Sequence, residues 1–113
     1  MASKFVEEWN QLAKAVHETM VQKGFWEPGI EKNDGEQIAL MHSELSECLE
    51  GIRHGNPASE HIPDFRAAEE ELADVVIRIM DTAHARGWDV AEAVEAKMTF
   101  NRNRPHKHGG KKF

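Results

Sequence analysis

The sequence predicts an all-α fold of four helices, and three features of the chain point to it. Apolar residues recur at steps of three and four along four stretches, and no stretch alternates with the period of two that is typical of a strand. Gly or Pro separates the stretches from one another. Because 113 residues are too few to build two hydrophobic cores, we expect residues 1–113 to form one domain.

The first two helices are separated by a loop rich in Pro, Gly, Asn and Asp, residues 25–35. The first helix is expected to begin after an N-cap at Ser3 and to end at Gly24. Its predicted apolar stripe is Phe5, Trp9, Leu12, Val16 and Met20. The second helix is expected over residues 36–54, with Gly55 after it and an apolar stripe made of Ile38, Met41, Leu45, Cys48, Leu49 and Ile52.

A second connection, residues 56–65, contains two prolines and leads to the third helix, expected over residues 66–86 with Gly87 as its stop. The apolar stripe of the third helix is Leu72, Val76, Ile79, Met80 and Ala83. Asp89 is the expected cap of a fourth helix, which must end near Arg104 because Pro105 follows. Residues from about 105 to 113 are expected to form a flexible basic tail. Since one chain can only partly cover the apolar faces of such a small bundle, we expect self-association, the alternative being a monomeric bundle.

Composition narrows the classes of function. The formal net charge of −6 makes the chain a poor non-specific partner for a nucleic-acid polymer. No apolar run is long enough to span a bilayer, the N-terminus lacks an apolar signal core, and the single Cys48 cannot form an internal disulfide. We therefore expect a cytoplasmic protein without a membrane partner.

The acidic residues suggest a metal site. Glu44 and Glu47 are three residues apart on the second helix, and Glu71 and Asp74 have the same spacing on the third, so each pair shares one helix face beside an apolar stripe. If the stripes pack together, the carboxylates meet at the margin of the core, where a divalent cation such as Mg²⁺ would offset their repulsion. The alternative is a solvated acidic face, with residues 69–71 simply favouring the start of a helix.

Basic residues are concentrated at the C-terminus. Lys97, Asn101 and Arg104 fall on one face of the fourth helix, and two cations with an amide suit phosphate oxygens. Residues 97–113 contain six Lys or Arg and no acidic residue. Lys107 and the residues after it have two interpretations. They form either a flexible tail that covers the phosphates of a ligand or a solvated terminus without a ligand.

Taken in order, these motifs resemble the MazG-like branch of the all-alpha nucleotide pyrophosphohydrolases. That family carries E-E-x-x-E on one helix and E-x-x-D on a later one. Here the corresponding residues are Ser43-Glu44-Leu45-Ser46-Glu47 and Glu71-Leu72-Ala73-Asp74, followed by Lys97, Asn101, Arg104-Pro105 and Lys107-His108-Gly109-Gly110-Lys111. The resemblance extends from the second helix to the C-terminus. Ser43 departs from the pattern, which puts the number of bound metal ions in question.

The resemblance implies a helical bundle, completed as a homodimer or homotetramer, that hydrolyses a (d)NTP to (d)NMP and pyrophosphate. Glu44, Glu47, Glu71 and Asp74 would bind Mg²⁺, with Mn²⁺ as a substitute. Glu47 would also orient the attacking water. Lys97, Asn101, Arg104 and Lys107 would bind the triphosphate.

Other readings of the sequence remain open. The missing acid at Ser43 fits a helical nucleotide-binding or interaction module without catalysis. Asp81-Thr82-Ala83-His84 is one imperfect match to the E-x-x-H motif of di-iron bundles, which need two such motifs. Trp26 and Trp88 are candidates either for stacking on a base or for packing. Cys48 lies in an apolar stripe and is expected to pack in the core.

Overall fold

The computed structural model describes residues 2–29 and 31–112, without the side chain of His108. Ile30, in the first predicted loop, and Phe113, at the end of the predicted tail, lie outside the described residues. The helices are α1 (Lys4–Gln22), α2 (Asp34–Arg53), α3 (Ala67–Arg86), α4 (Val90–Arg102) and a single turn, α5 (Lys107–Gly110). The described part of the chain contains no strand, so the all-α prediction is confirmed.

The helices begin and end at residues whose side chains or backbone conformations cap them. The Ser3 hydroxyl accepts a hydrogen bond from the Val6 amide at 3.1 Å, as an N-cap does. Asn33 caps α2 in the same way through the Glu36 amide, so α2 begins two residues earlier than predicted. Gly87 ends α3 in the left-handed conformation at φ 71°, which glycine adopts without a steric penalty. α4 ends at Arg102, slightly before the predicted limit, and α5 forms within the predicted tail.

α2 and α3 form a hairpin that is the most extensive helix pair of the fold. At Gly51 the two helices approach so closely that an added Cβ would lie 3.1 Å from the Ala67 Cβ. The connecting segment is fixed as well, because Asn56 Oδ1 accepts a hydrogen bond from the Ala68 amide at 2.9 Å and the Ser59 residue is buried. These contacts set the register in which the acidic pairs of the two helices face each other.

α1 packs along α3, and α4 packs along α1. Ser3 donates to Glu95 at 2.9 Å, and the Asn10 amide donates to Glu92 at 3.4 Å. Ala91 is fully buried at the start of α4. The fourth helix is therefore held by α1 rather than by the α2–α3 hairpin.

The hydrophobic core is small, and the predicted stripes are only partly buried. In α1 the buried positions are Val6 and Ala13, whereas Phe5 and Leu12 of the predicted stripe are exposed. The predicted apolar stripe of α1 therefore does not coincide with its buried face. Along α2 and α3 an apolar surface remains exposed, which we call the open apolar rows: Leu45, Leu49, Ile52, Leu72 and Val76. Cys48 is buried, as predicted, and its thiol lies 3.8 Å from the Ala68 carbonyl.

No helix in the described part of the chain is both long enough and apolar enough to cross a bilayer.

Met80 is 3% exposed and fills the core, so Met80→Ala should lower the free energy of unfolding by about 2–4 kcal/mol through lost burial and a cavity. Urea denaturation measures this change. Met98, which is 50% exposed, supplies the control: Met98→Ala should change stability by less than about 0.5 kcal/mol. Equal losses in the two variants would contradict the assignment of the core.

Candidate metal and nucleotide site

The hairpin brings the two predicted acidic pairs together. One carboxylate oxygen from each of Glu44, Glu47 and Glu71 lies within 4.8 Å of the other two. A second group with the same spacing consists of Glu70, Glu71 and Asp74, so Glu71 belongs to both groups. We call Glu44, Glu47, Glu71 and Asp74 the acid cluster. Its geometry suits one or two cations that share Glu71.

Within the acid cluster, the pKa of Glu71 is shifted furthest from its ordinary value. The Glu71 Oε2 atom is buried and, in the ionised form, accepts no hydrogen bond from the described residues. Burial raises the pKa of Glu71 from 4.5 to about 8, with further contributions from hydrogen bonding to Glu44 and Glu47 and from their negative charges. Burial and the charges of Glu44 and Glu70 also raise the pKa of Asp74. Without a cation, the folded structure therefore favours the protonated form of Glu71, whereas a bound cation would favour its charged form.

Arg78 partly neutralises the cluster and is not among the site residues that the sequence predicts. Its Nε and Nη2 atoms both lie 3.0 Å from Glu44 Oε1, and the Glu44 side chain is only 12% exposed. Arg78 follows Asp74 by four residues and therefore projects from the same face of α3. That i, i+4 spacing was the available signal.

Glu70 was also missed, because it was treated only as part of a helix N-terminus. Ser59 donates to Glu70 Oε1 at 2.5 Å, and His61 Nδ1 lies 2.7 Å from Oε2. The hydrogen bond from Ser59, and then that from His61, lowers the pKa of Glu70. Since both oxygens already have partners, Glu70 fastens the α2–α3 connection to the edge of the acid cluster.

Beside the acid cluster lies a cleft of about 460 Å³ between α1, α2 and α3. Its walls are Met20, Phe25, Lys32, Gln37, Leu40, Glu44, Asp74, Ile77, Arg78 and Asp81. Glu44 and Asp74 of the acid cluster therefore line one end, Gln37 and Asp81 lie one to two turns further along α2 and α3, and apolar side chains lie between them. Such a cleft can take a molecule that is charged at one end and flat and apolar at the other.

The predicted phosphate-binding residues lie elsewhere in the chain. Lys97 and Asn101 line a separate shallow depression on α4. The Lys97 ammonium lies 4.5 Å from the centre of the Phe100 ring, and the Arg104 guanidinium lies 5.6 Å from the same ring. Lys107 is exposed at the start of α5. None of these four residues lines the cleft beside the acid cluster.

The other residues that the sequence suggests, Ser43, Trp26 and Trp88, lie outside the acid cluster. The Ser43 hydroxyl donates to the Leu40 carbonyl of its own helix at 2.7 Å and belongs to neither acidic group. The Trp26 indole donates to both Asp81 oxygens, at 2.9 and 3.0 Å, while Trp88 is about half exposed. Neither acidic group found among the described residues includes a histidine, which gives the di-iron reading no support.

Comparison with models of known protein families, with curated proteins and with solved structures gives no match.

The metal-free protein should lose stability as the pH rises from about 5 to about 8. Glu71 binds a proton more tightly when folded, so the stability from this proton is present below pH 4.5 and lost as the pH rises through about 8. We expect a loss of about 1–2 kcal/mol, reduced from the full shift because solvent reaches the cluster. Urea denaturation in the presence of chelator measures this loss. Glu71→Gln should reduce the dependence of the free energy of unfolding on pH. An unchanged pH dependence in this variant would show that another group causes the loss.

Proposed function

We propose that this protein is a Mg²⁺-dependent nucleotide pyrophosphohydrolase, a hydrolase of phosphoric anhydride bonds that converts a (d)NTP and water to a (d)NMP and pyrophosphate. One observation carries the proposal: the buried, unpartnered Glu71 oxygen in a cluster of carboxylates from two helices. A buried polar atom without a partner is costly, and a bound cation would supply the missing interaction. The resemblance of the ordered motifs to the MazG-like family supports the same reaction.

The donor set fits a hard divalent cation. The acid cluster offers only carboxylate oxygens, the ligands that Mg²⁺ prefers, and Mn²⁺ accepts them as well. When bound, the cation would offset negative charge on the phosphate oxygens and on the departing pyrophosphate. Among the described residues, Arg78 is the one cation in direct contact with the cluster, so the four carboxylates exceed the positive charge that these residues place beside them.

The residues around the cluster would orient the attacking water and bind the phosphates. Glu47 is exposed, so its carboxylate can meet a water from solvent and orient it toward the α-phosphorus. Arg78 keeps unused N–H groups beyond its bond to Glu44 and can donate them to phosphate oxygens. Lys32 lies in the wall of the cleft and adds positive charge on the side of α1. No covalent intermediate is needed for this displacement.

Self-association is part of the proposal, as a homodimer or a homotetramer in the cytoplasm. The open apolar rows leave large side chains exposed on the same two helices that carry the acid cluster. The α4 residues Lys97, Asn101, Arg104 and Lys107 do not line the cleft of their own chain. A second copy that covers the open apolar rows would bring its own α4 toward the cluster, completing the phosphate end of the site.

A non-catalytic nucleotide-binding module is the second candidate. Its supporting observation is Ser43, which bonds to its own helix where the family pattern has a further glutamate. That reading keeps nucleotide binding and predicts no turnover.

Pyrophosphate release from a panel of ordinary and modified NTPs and dNTPs, with Mg²⁺ or with chelator, tests the reaction. We expect release that depends on Mg²⁺, with monophosphate as co-product. Glu47→Gln should lower kcat at least about 100-fold without unfolding the protein, because it removes one carboxylate charge with little change in shape. Glu50→Gln, at an exposed position one turn further along α2, should keep full activity. Full activity in Glu47→Gln would contradict the proposed site.

Mixed oligomers test whether a second copy completes the site. Arg104→Ala should weaken substrate binding by about tenfold or more while keeping metal affinity. If each site combines one chain's acid cluster with its partner's α4, co-expressing Glu47→Gln and Arg104→Ala chains creates some sites free of both substitutions. Random pairing of dimers should then restore about a quarter of wild-type activity at subsaturating substrate. Activity equal to the mean of the two parent variants would place both residues in sites built from single chains.

A further inference from the structure

Gln37 is a buried side chain whose role the proposed reaction does not explain. It lies on α2, is 9% exposed and lines the cleft. Its side-chain amide forms no hydrogen bond with the described residues and is not among the fully buried polar atoms that lack a partner, so the amide is open to the cleft. An amide that is open to a cleft is available to a ligand there.

The position of Gln37 relative to the acid cluster matches the length of a nucleotide. Gln37, Leu40 and Glu44 follow one another at i, i+3 and i+7, so they lie along one face of α2. Seven residues of helix span about 10.5 Å, which is comparable to the reach from the edge of a base to the phosphates of the same nucleotide. A triphosphate bound at the cluster would therefore place its base near Gln37.

The middle of the cleft suits an aromatic ring. Met20, Phe25, Leu40 and Ile77 form its apolar walls. Flat rings gain burial and dispersion contacts between such walls, while polar groups at the rim fix their orientation.

Asp81 supplies the second polar group at this end of the cleft. Its Oδ1 lies 2.8 Å from His17 Nδ1 and 2.9 Å from Trp26 Nε1, whereas the Trp26 bond, at 3.0 Å, is the only one that Oδ2 accepts from the described residues. A carboxylate accepts about four hydrogen bonds, so Asp81 can accept from a ligand as well. Since it is an acceptor only, it favours a base that presents an amino group over one that presents a carbonyl there.

We infer that Gln37 and Asp81 read the base of the bound nucleotide and select bases with an exocyclic amino group. The inference rests on the proposed function for the placement of the phosphates and deepens it by naming the substrate class. The Gln37 amide presents one donor and one acceptor to the ring edge and so holds the ring in one orientation. Asp81 then accepts from the amino group, while a carbonyl at that position would face the carboxylate without a donor.

Equilibrium binding of α,β-imido nucleotides, which are not split between the α and β phosphates, tests this preference without turnover. Deoxycytidine and deoxyuridine analogues differ at the amino or carbonyl group of one ring carbon, and deoxyadenosine and deoxyinosine analogues form a second such pair. For wild-type protein in Mg²⁺, calorimetry should show Kd about tenfold lower for the amino member of each pair.

Two variants assign the preference to the named residues. Gln37→Met keeps the length of the side chain and should bring both Kd ratios close to one without loss of thermal stability, because it removes no hydrogen bond to the described residues. Gln11→Met, at an exposed position on α1, should leave the ratios unchanged. Asp81→Asn should also lower the ratios. If Asp81→Asn unfolds the protein, the Kd ratios of Gln37→Met still test the inference.

The outcomes separate this inference from the proposed reaction. No amino preference in wild-type protein, or a preference that survives Gln37→Met, overturns the inference even if pyrophosphate is released. A preference that disappears in Gln37→Met supports it even if no nucleotide is hydrolysed, in which case the reaction fails and the base-reading role stands. Absence of nucleotide binding overturns both.

Discussion

Close packing of α2 against α3 is the constraint on which the site depends. The absence of a side chain at Gly51 lets the two helices approach, and Asn56 and Ser59 fasten the connection between them. In that register the carboxylates of the two helices face one another in a place only partly open to water. The hairpin thus carries an electrostatic cost in the metal-free chain, as the raised pKa of Glu71 indicates, and Arg78 offsets part of that cost at Glu44 and Asp74.

Much of the fold was predictable because it depends on local chemistry. Ser3 and Gly87 act as helix ends through their own side-chain or backbone properties, and the four helices follow the apolar periodicity. The meeting of the acidic pairs was also predictable, since i, i+3 spacing fixes a shared face on each helix and their apolar stripes suggested which helices would pack. That these carboxylates bind a metal stays a prediction.

The rest depends on tertiary packing that periodicity does not encode. Arg78 and Glu70 look like ordinary surface residues until the hairpin places them against Glu44 and the Ser59 segment. The cleft needs three helices and a loop, so no single stretch indicates it. The sequence likewise gave no reason to expect that α4 would pack along α1, which leaves Arg104 away from the cleft of its own chain.

The hydrogen bonds from Trp26 to Asp81 join the loop after α1 to the middle of α3. Phe25 and Lys32, on that loop, form part of the cleft wall, whereas the acid cluster is built entirely on the α2–α3 hairpin. The distal end of the cleft therefore depends on the loop as well as on the hairpin, whereas the acid cluster depends on the hairpin alone. Substitutions along the loop should reshape the distal end while the carboxylates keep their geometry.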